Sequence, residues 1–119
     1  MKTVSRLIEG VTIVDVSGRI VLGEECAAIR ELVSDLLGKG RMKILFNLAD
    51  VDYIDSAGLG TMVSAFTSVK NHGGQLKLLH LKDKVRGLLQ ITKLYTVFDV
   101  MDDETAAIQS FGQSATATG

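Results

Sequence analysis

The sequence predicts one α/β domain in which strands and helices alternate and the sheet is largely parallel after its first strands. Strand-like runs, the β-branched Val11 to Val16 and the apolar Ile44 to Leu48, precede stretches with apolar residues at i, i+3, i+4 and i+7, the signals of strand and helix. That alternation is the pattern of strands joined by helical crossovers, which are right-handed. A length of 119 residues suits a single core, large enough to fold without metal or disulfide.

The first two strands are Arg6 to Glu9 and Val11 to Val16, joined tightly at Gly10 and dense in β-branched residues. Gly18 breaks the second, and Arg19 to Leu22 reads either as a short extension of the sheet or as a buried crossover. Glu24 to Leu37 is the first helix. Ile29, Leu32, Val33, Leu36 and Leu37 share one face, Glu24 and Glu25 suit its start, and Gly38-Lys39-Gly40 ends it. A strand follows over Arg41 to Leu48, its Ile44-Leu45-Phe46 run buried on both faces, and then an acidic loop, Ala49 to Asp55. The second helix carries Leu59, Met62, Val63, Phe66 and Val69 or Lys70 on its apolar face and Thr61, Ser64, Thr67 and Ser68 on a small polar face. It stops at Asn71-His72-Gly73-Gly74. Gln75 to Leu81 is a strand, Lys82 to Thr92 a third helix with Val85, Leu88 and Leu89 inward, and Tyr95 to Val100 a short last strand. Asp102-Asp103-Glu104 opens a terminal helix that reaches Phe111. The domain is thus expected over residues 1–111, with residues 112–119 as a polar, frayed tail.

Composition narrows the function. A formal net charge of -1, with no basic run, argues against a nucleic-acid partner. No run approaches the 18 or so apolar residues of a membrane span, no signal-peptide core follows Met1 to Arg6, and the one cysteine, Cys26, makes no intrachain disulfide. A cytoplasmic protein without a membrane partner is expected. Cys26, between helical neighbours and with no histidine nearby in sequence, reads as a packing residue. His72 reads as a helix C-terminal charge or plain surface, and His80 as a satisfied histidine within a strand. Histidine, cysteine and acidic residues nowhere show metal-ligand spacing, and Gly-x-Ser-x-Gly, Gly-x-Gly-x-x-Gly and the phosphate-cradling Gly-x-x-x-x-Gly-Lys-Ser/Thr are all absent. The acidic pairs at Asp50 and Asp52, Glu24 and Glu25, and Asp102 and Asp103 are ordinary for loops and helix starts. No catalytic residue, metal or cofactor is expected.

What stands out is Asp55-Ser56-Ala57-Gly58-Leu59-Gly60, lying between a strand and a helix. Asp55 and Ser56 both have side chains suited to the N-cap. Gly58 and Gly60 each cost roughly 1 kcal/mol relative to alanine inside a helix, so something other than helix propensity places them there. Either they let the helix lie close to a neighbouring backbone, or they leave the surface around Ser56 bare for a partner. A phosphate on Ser56 would meet the favourable end of a helix dipole and also the like charge of Asp55, with Asp50 and Asp52 near. The fold would tolerate such a group while a docking surface would not.

The stretch from Leu45 through Gly60, and beyond it Lys70, Gly73-Gly74, Val85-Arg86 with Leu88-Leu89, and Thr92 to Val97, resembles STAS domains, in particular the single-domain bacterial anti-sigma factor antagonists. The resemblance implies a small mixed, mostly parallel sheet with about four helices mainly on one side. It also implies a partner switch. The unphosphorylated antagonist binds an anti-sigma factor that is a serine kinase, which frees a sigma factor; the kinase phosphorylates the motif serine, here Ser56, and a PP2C-type phosphatase reverses this. The partner-binding residues would be Asp55, Ser56, Ala57, Gly58, Leu59, Gly60 and Thr61. Two departures are Val21, where relatives often carry aspartate, and Ala57, where many carry serine or threonine. STAS domains also serve as constitutive subunits of transport or stress-sensing complexes, and there Ser56 would be only an N-cap.

Overall fold

The computed structural model describes residues 1–117, with side chains over residues 1–111. Strand β1 (Lys2–Ile8) turns into β2 (Val11–Ile20) through Glu9 and Gly10, both at positive φ, as a two-residue hairpin of this twist requires. Helix α1 (Glu24–Gly38), β3 (Lys43–Ile54), α2 (Ser56–Asn71), β4 (Gln75–Leu79), α3 (Asp83–Ile91), β5 (Val100–Met101) and α4 (Glu104–Ala117) follow. The sheet order is β1-β2-β3-β4-β5. Only the β1–β2 pair is antiparallel; the rest are parallel. The expected mixed, mostly parallel sheet is therefore the observed one.

Helices α1, α2 and α3 cover one face, where Ile29, Val33, Met62, Ala65, Val85 and Leu89 join Val14, Phe46 and Leu78 in the main core. The alternate residues Val11, Ile13, Leu45 and Leu79 point to the other face and pack on Ala107, Ile108 and Phe111 of α4. Polar contacts hold α4 as well. Arg6 meets Asp15 at 2.6 Å and Glu104 at 2.7 Å, and the bond from Arg6, with a further one from Asn47, holds the Asp15 carboxyl below its ordinary pKa. Lys77 is buried, donates to Ser110 Oγ at 2.8 Å, and lies 5.0 Å from the centre of the Phe111 ring.

Five expectations need correction. Gly18 does not break β2: the strand continues to Ile20 with register shifts on either side of Gly18, irregularities that bend a strand without ending it. It continues because its neighbour does. Residues 49–54, expected as an acidic loop, extend β3, with Ser17 opposite Asp50, Gly18 opposite Val51, Arg19 opposite Tyr53 and Ile20 opposite Ile54. The expected last strand, Tyr95 to Val100, is not formed as such: its first two residues belong to a 3-10 turn at Leu94–Thr96, residues 97–99 are irregular, and only Val100 is strand. Lys93 at φ 61 and the Thr96 hydroxyl, which donates to the Lys93 carbonyl, favour the local turn, and β5 keeps two residues. Fourth, β4 ends at Leu79, so His80 lies outside it at φ 56, its N–H donating to the Met101 carbonyl. Asp103 caps α4 by accepting from the Ala106 N–H at 2.8 Å. The terminal helix, expected to end at Phe111, runs on to Ala117, and of the tail expected over residues 112–119 the last two residues lie outside the described ones.

Candidate functional site

The C-terminal end of β3 delivers Asp55 in extended conformation, and α2 begins at the next residue. Of the two candidate caps, Asp55 is the one used. Its Oδ1 accepts from the Gly58 N–H at 2.7 Å and its Oδ2 from the Leu22 N–H at 3.0 Å. The carboxylate thus ties the connection after β2 to the first turn of α2. These amide bonds, from Leu22 and then Gly58, hold its pKa below the ordinary carboxylate value, with a smaller contribution from the charge of Arg19.

Ser56 is left free by this arrangement. It is the first residue of α2, it is exposed, and its hydroxyl makes no hydrogen bond among the described residues. The two glycines divide between the two readings. A Cβ on Gly58 would lie 2.2 Å from the Ile20 carbonyl oxygen and 2.8 Å from Ile54 Cγ2, so close approach of α2 to the end of β2 requires it. Gly60 is exposed and a Cβ there would meet nothing within 4 Å; it serves no packing need and leaves the surface beside Ser56 bare. Leu59 and Thr61 are buried. Thr61, expected on a polar outer face, turns towards α1, where its Oγ1 accepts from Arg30 at 3.3 Å. Ala57 is half-buried at the rim.

Next to Ser56 a groove of about 280 Å³ opens between the start of α2 and α3, lined among others by Tyr53, Ile54, Ser56, Lys84, Val85 and Leu88. Its walls are mainly apolar. Around it stand exposed apolar groups: Leu22 is 76% exposed and Tyr53 47%, far beyond what packing would leave, and the Arg19 guanidinium lies 5.1 Å from the Tyr53 ring centre. The sequence reading missed Arg19, Leu22, Tyr53 and Lys84. No local signal gave them away: residues 49–54 are strand because they pair with Ser17 to Ile20, and that pairing carries Tyr53 to this edge. A larger hollow of about 420 Å³ runs between α1 and α2 beside Arg30, Ser64 and His72, on a different part of α2 from Ser56.

The other singled-out residues have structural employment. Cys26 is buried with its thiol donating to the Val21 carbonyl at 3.1 Å, and His72 Nδ1 lies 2.7 Å from the Ser68 carbonyl at the end of its own helix. Asp52 pairs with Lys82 at 2.5 Å, and Asp102 with Arg86 at 3.1 Å. Among the described residues no group of three or more His, Cys, Asp or Glu side chains is placed to hold a metal, and no helix is long and apolar enough to cross a membrane.

Comparison with known proteins places this arrangement. The family model of the STAS domain matches residues 3–107. The chain belongs to the STAS family. This STAS domain is similar to the anti-sigma-B factor antagonist of Bacillus subtilis (strain 168), being 34% identical over 96 residues that cover 81% of each chain. It is also similar to a solved Thermotoga maritima structure described as a candidate anti-sigma factor antagonist, with TM-score 0.84 and 27% identity over 92% of this chain and 93% of that one. The phosphorylated form of the Bacillus protein SpoIIAA shares the fold, with TM-score 0.71 at 18% identity over 92% and 98% of the two chains. Curated relatives of this STAS domain are thus named for regulation of sigma factors.

Proposed function

We propose that this STAS domain is an anti-sigma factor antagonist switched by phosphorylation of Ser56. In its unphosphorylated form it binds an anti-sigma factor that is a serine kinase, in the cytoplasm, and a sigma factor is released. The observation that carries the reading is the free Ser56 hydroxyl at the exposed start of α2, with Asp55 already acting as the cap. The constitutive-subunit alternative gave Ser56 the work of an N-cap, and that work belongs to Asp55.

Docking uses the tip formed by Asp55 to Thr61. Ser56, Ala57 and Gly60 meet the partner, while Gly58, Leu59 and Thr61 lie beneath and set the shape. In the transfer step the Ser56 oxygen attacks the terminal phosphorus of a nucleoside triphosphate held by the kinase. A new O–P bond forms, the bond to the bridging oxygen breaks, and the nucleoside diphosphate leaves. The hydroxyl proton passes to a base of the kinase, since no side chain among the described residues is hydrogen-bonded to Ser56. A PP2C-type phosphatase hydrolyses the ester and resets the switch. The chain itself carries no catalytic step.

Phosphosite mapping tests this reading. After incubation with the partner kinase and ATP, fragment mass spectra are expected to place one phosphate on Ser56, and Ser56→Ala is expected to take up none. Phosphate on Ser64 or Ser68 in place of Ser56 contradicts the assignment.

A further inference from the structure

The charges around Ser56 differ from what the sequence suggests. The neighbouring acids read as a repulsive cluster, yet Asp52 is paired with Lys82 and both Asp55 oxygens accept backbone N–H groups. One cation beside them is unpaired. Lys84 is exposed and has no ion-pair or hydrogen-bond partner among the described residues, and it lines the same groove as Ser56. Its charge is felt at Asp52 on the end of β3. The reach is also demonstrated here: Lys82, two residues earlier and just before α3, already bridges to Asp52 of β3 at 2.5 Å. Across the groove from Lys84, the apolar wall is made by Ile54, and Val85 and Leu88 stand on its own side of α3.

Resting on the reading of Ser56 as a phosphorylation site, we propose that Lys84 is the intramolecular counter-ion of phosphorylated Ser56, drawn across the mouth of the apolar groove and closing it. Phosphorylation then acts twice. It adds charge at the tip, and it covers apolar surface that the unphosphorylated form offers to its partner. A phosphate supplies three acceptor oxygens at a helix start, and an ammonium facing it makes charge-assisted hydrogen bonds. The charged groups facing the phosphate would be Asp52 from β3, Asp55 at the cap of α2, Arg19 from β2, Lys82 at the cap of α3 and Lys84 in its first turn. Of the three cations, Arg19 lies over the Tyr53 ring and Lys82 is paired with Asp52, and Lys84 alone lines the groove without an ion pair or ring contact among the described residues.

The test needs no kinase. Phosphoserine is installed at position 56 during translation, and the phosphate is titrated by phosphorus NMR in the otherwise wild-type chain, in Lys84→Met and in Lys84→Arg. The second ionisation is expected below the value of about 6 for free phosphoserine, to rise by about half a unit in Lys84→Met, and to fall again in Lys84→Arg. Methyl resonances of Val85 and Leu88 are expected to shift on phosphorylation in the wild-type background and to stay in Lys84→Met. Equal ionisation midpoints in wild type and Lys84→Met, or methyl shifts that ignore Lys84, overturn the proposal. Anti-sigma factor capture by the same phosphorylated samples reads the Ser56 switch independently, because loss of capture with equal midpoints removes the clasp and leaves the switch.

Discussion

Ser56→Asp is expected to lose capture of the anti-sigma factor by about two orders of magnitude or more, while Ser56→Ala retains it. The reason is placement. Residue 56 is exposed at the start of α2, and Asp55 beside it holds its negative charge because two amides stabilise it. A second carboxylate at the tip must shed its water, or face like charge, when a partner covers it. A penalty of about 3 kcal/mol corresponds to that loss of affinity. Folding would not suffer, because an acidic side chain in the first turn is favoured by the helix dipole. A melting temperature equal to or slightly above wild type, alongside lost capture, separates a binding effect from an unfolded protein. Equal capture by the Ser56→Asp and wild-type chains contradicts the switch.

The two glycines of the tip give the second large effect, and they give it in opposite directions. Gly58→Ala is expected to destabilise the fold by about 2–3 kcal/mol, more than offsetting alanine's advantage in a helix. The added methyl has no room: it meets the Ile20 carbonyl at 2.2 Å, which is backbone of a central strand, and Ile54 behind it. Either α2 moves out from the sheet or its first turn unwinds, and the Asp55 bonds to Gly58 and Leu22 loosen with it. Gly60→Ala meets open space and is expected to stabilise by up to about 1 kcal/mol. Its methyl stands on the proposed docking face, so anti-sigma factor capture falls while stability rises. Urea titrations of the two variants, run beside capture assays, check both statements.

Much of the fold is legible in the sequence, and the reasons are local. Helices α1 and α3 announce themselves because their apolar spacing reports the face they bury, and Ile29, Val33, Val85 and Leu89 are all in the core. The second half of β3 is not legible in this way. Asp50 and Asp52 occupy exposed positions and read as a loop, whereas Val51 and Ile54 are buried. What makes them strand is pairing with Ser17 to Ile20, a long-range contact that no local pattern reports. The turn at Leu94–Thr96 misleads for the opposite reason: Tyr95, Val97 and Phe98 carry strand propensity, and a local hydrogen-bonded turn with Phe98 packed 5.5 Å from Phe66 overrides it.

At the site, the position of Ser56 is legible from the order of residues about it, since a strand, an Asp-Ser pair and a glycine-bearing helix start leave few alternatives. Which residue caps is not, because either side chain suits the position; the backbone at Asp55 and its two amide partners decide. The groove is invisible to the sequence. It exists because β3 and α3, distant along the chain, bring Tyr53, Lys84, Val85 and Leu88 beside Ser56.

The most direct measurement is a calorimetric titration of the purified anti-sigma factor with two preparations of this chain, identical except for phosphate on Ser56. Tight binding by the unphosphorylated chain and none detectable by the phosphorylated one is the predicted result. Equal affinity of the two preparations would contradict the account at its centre.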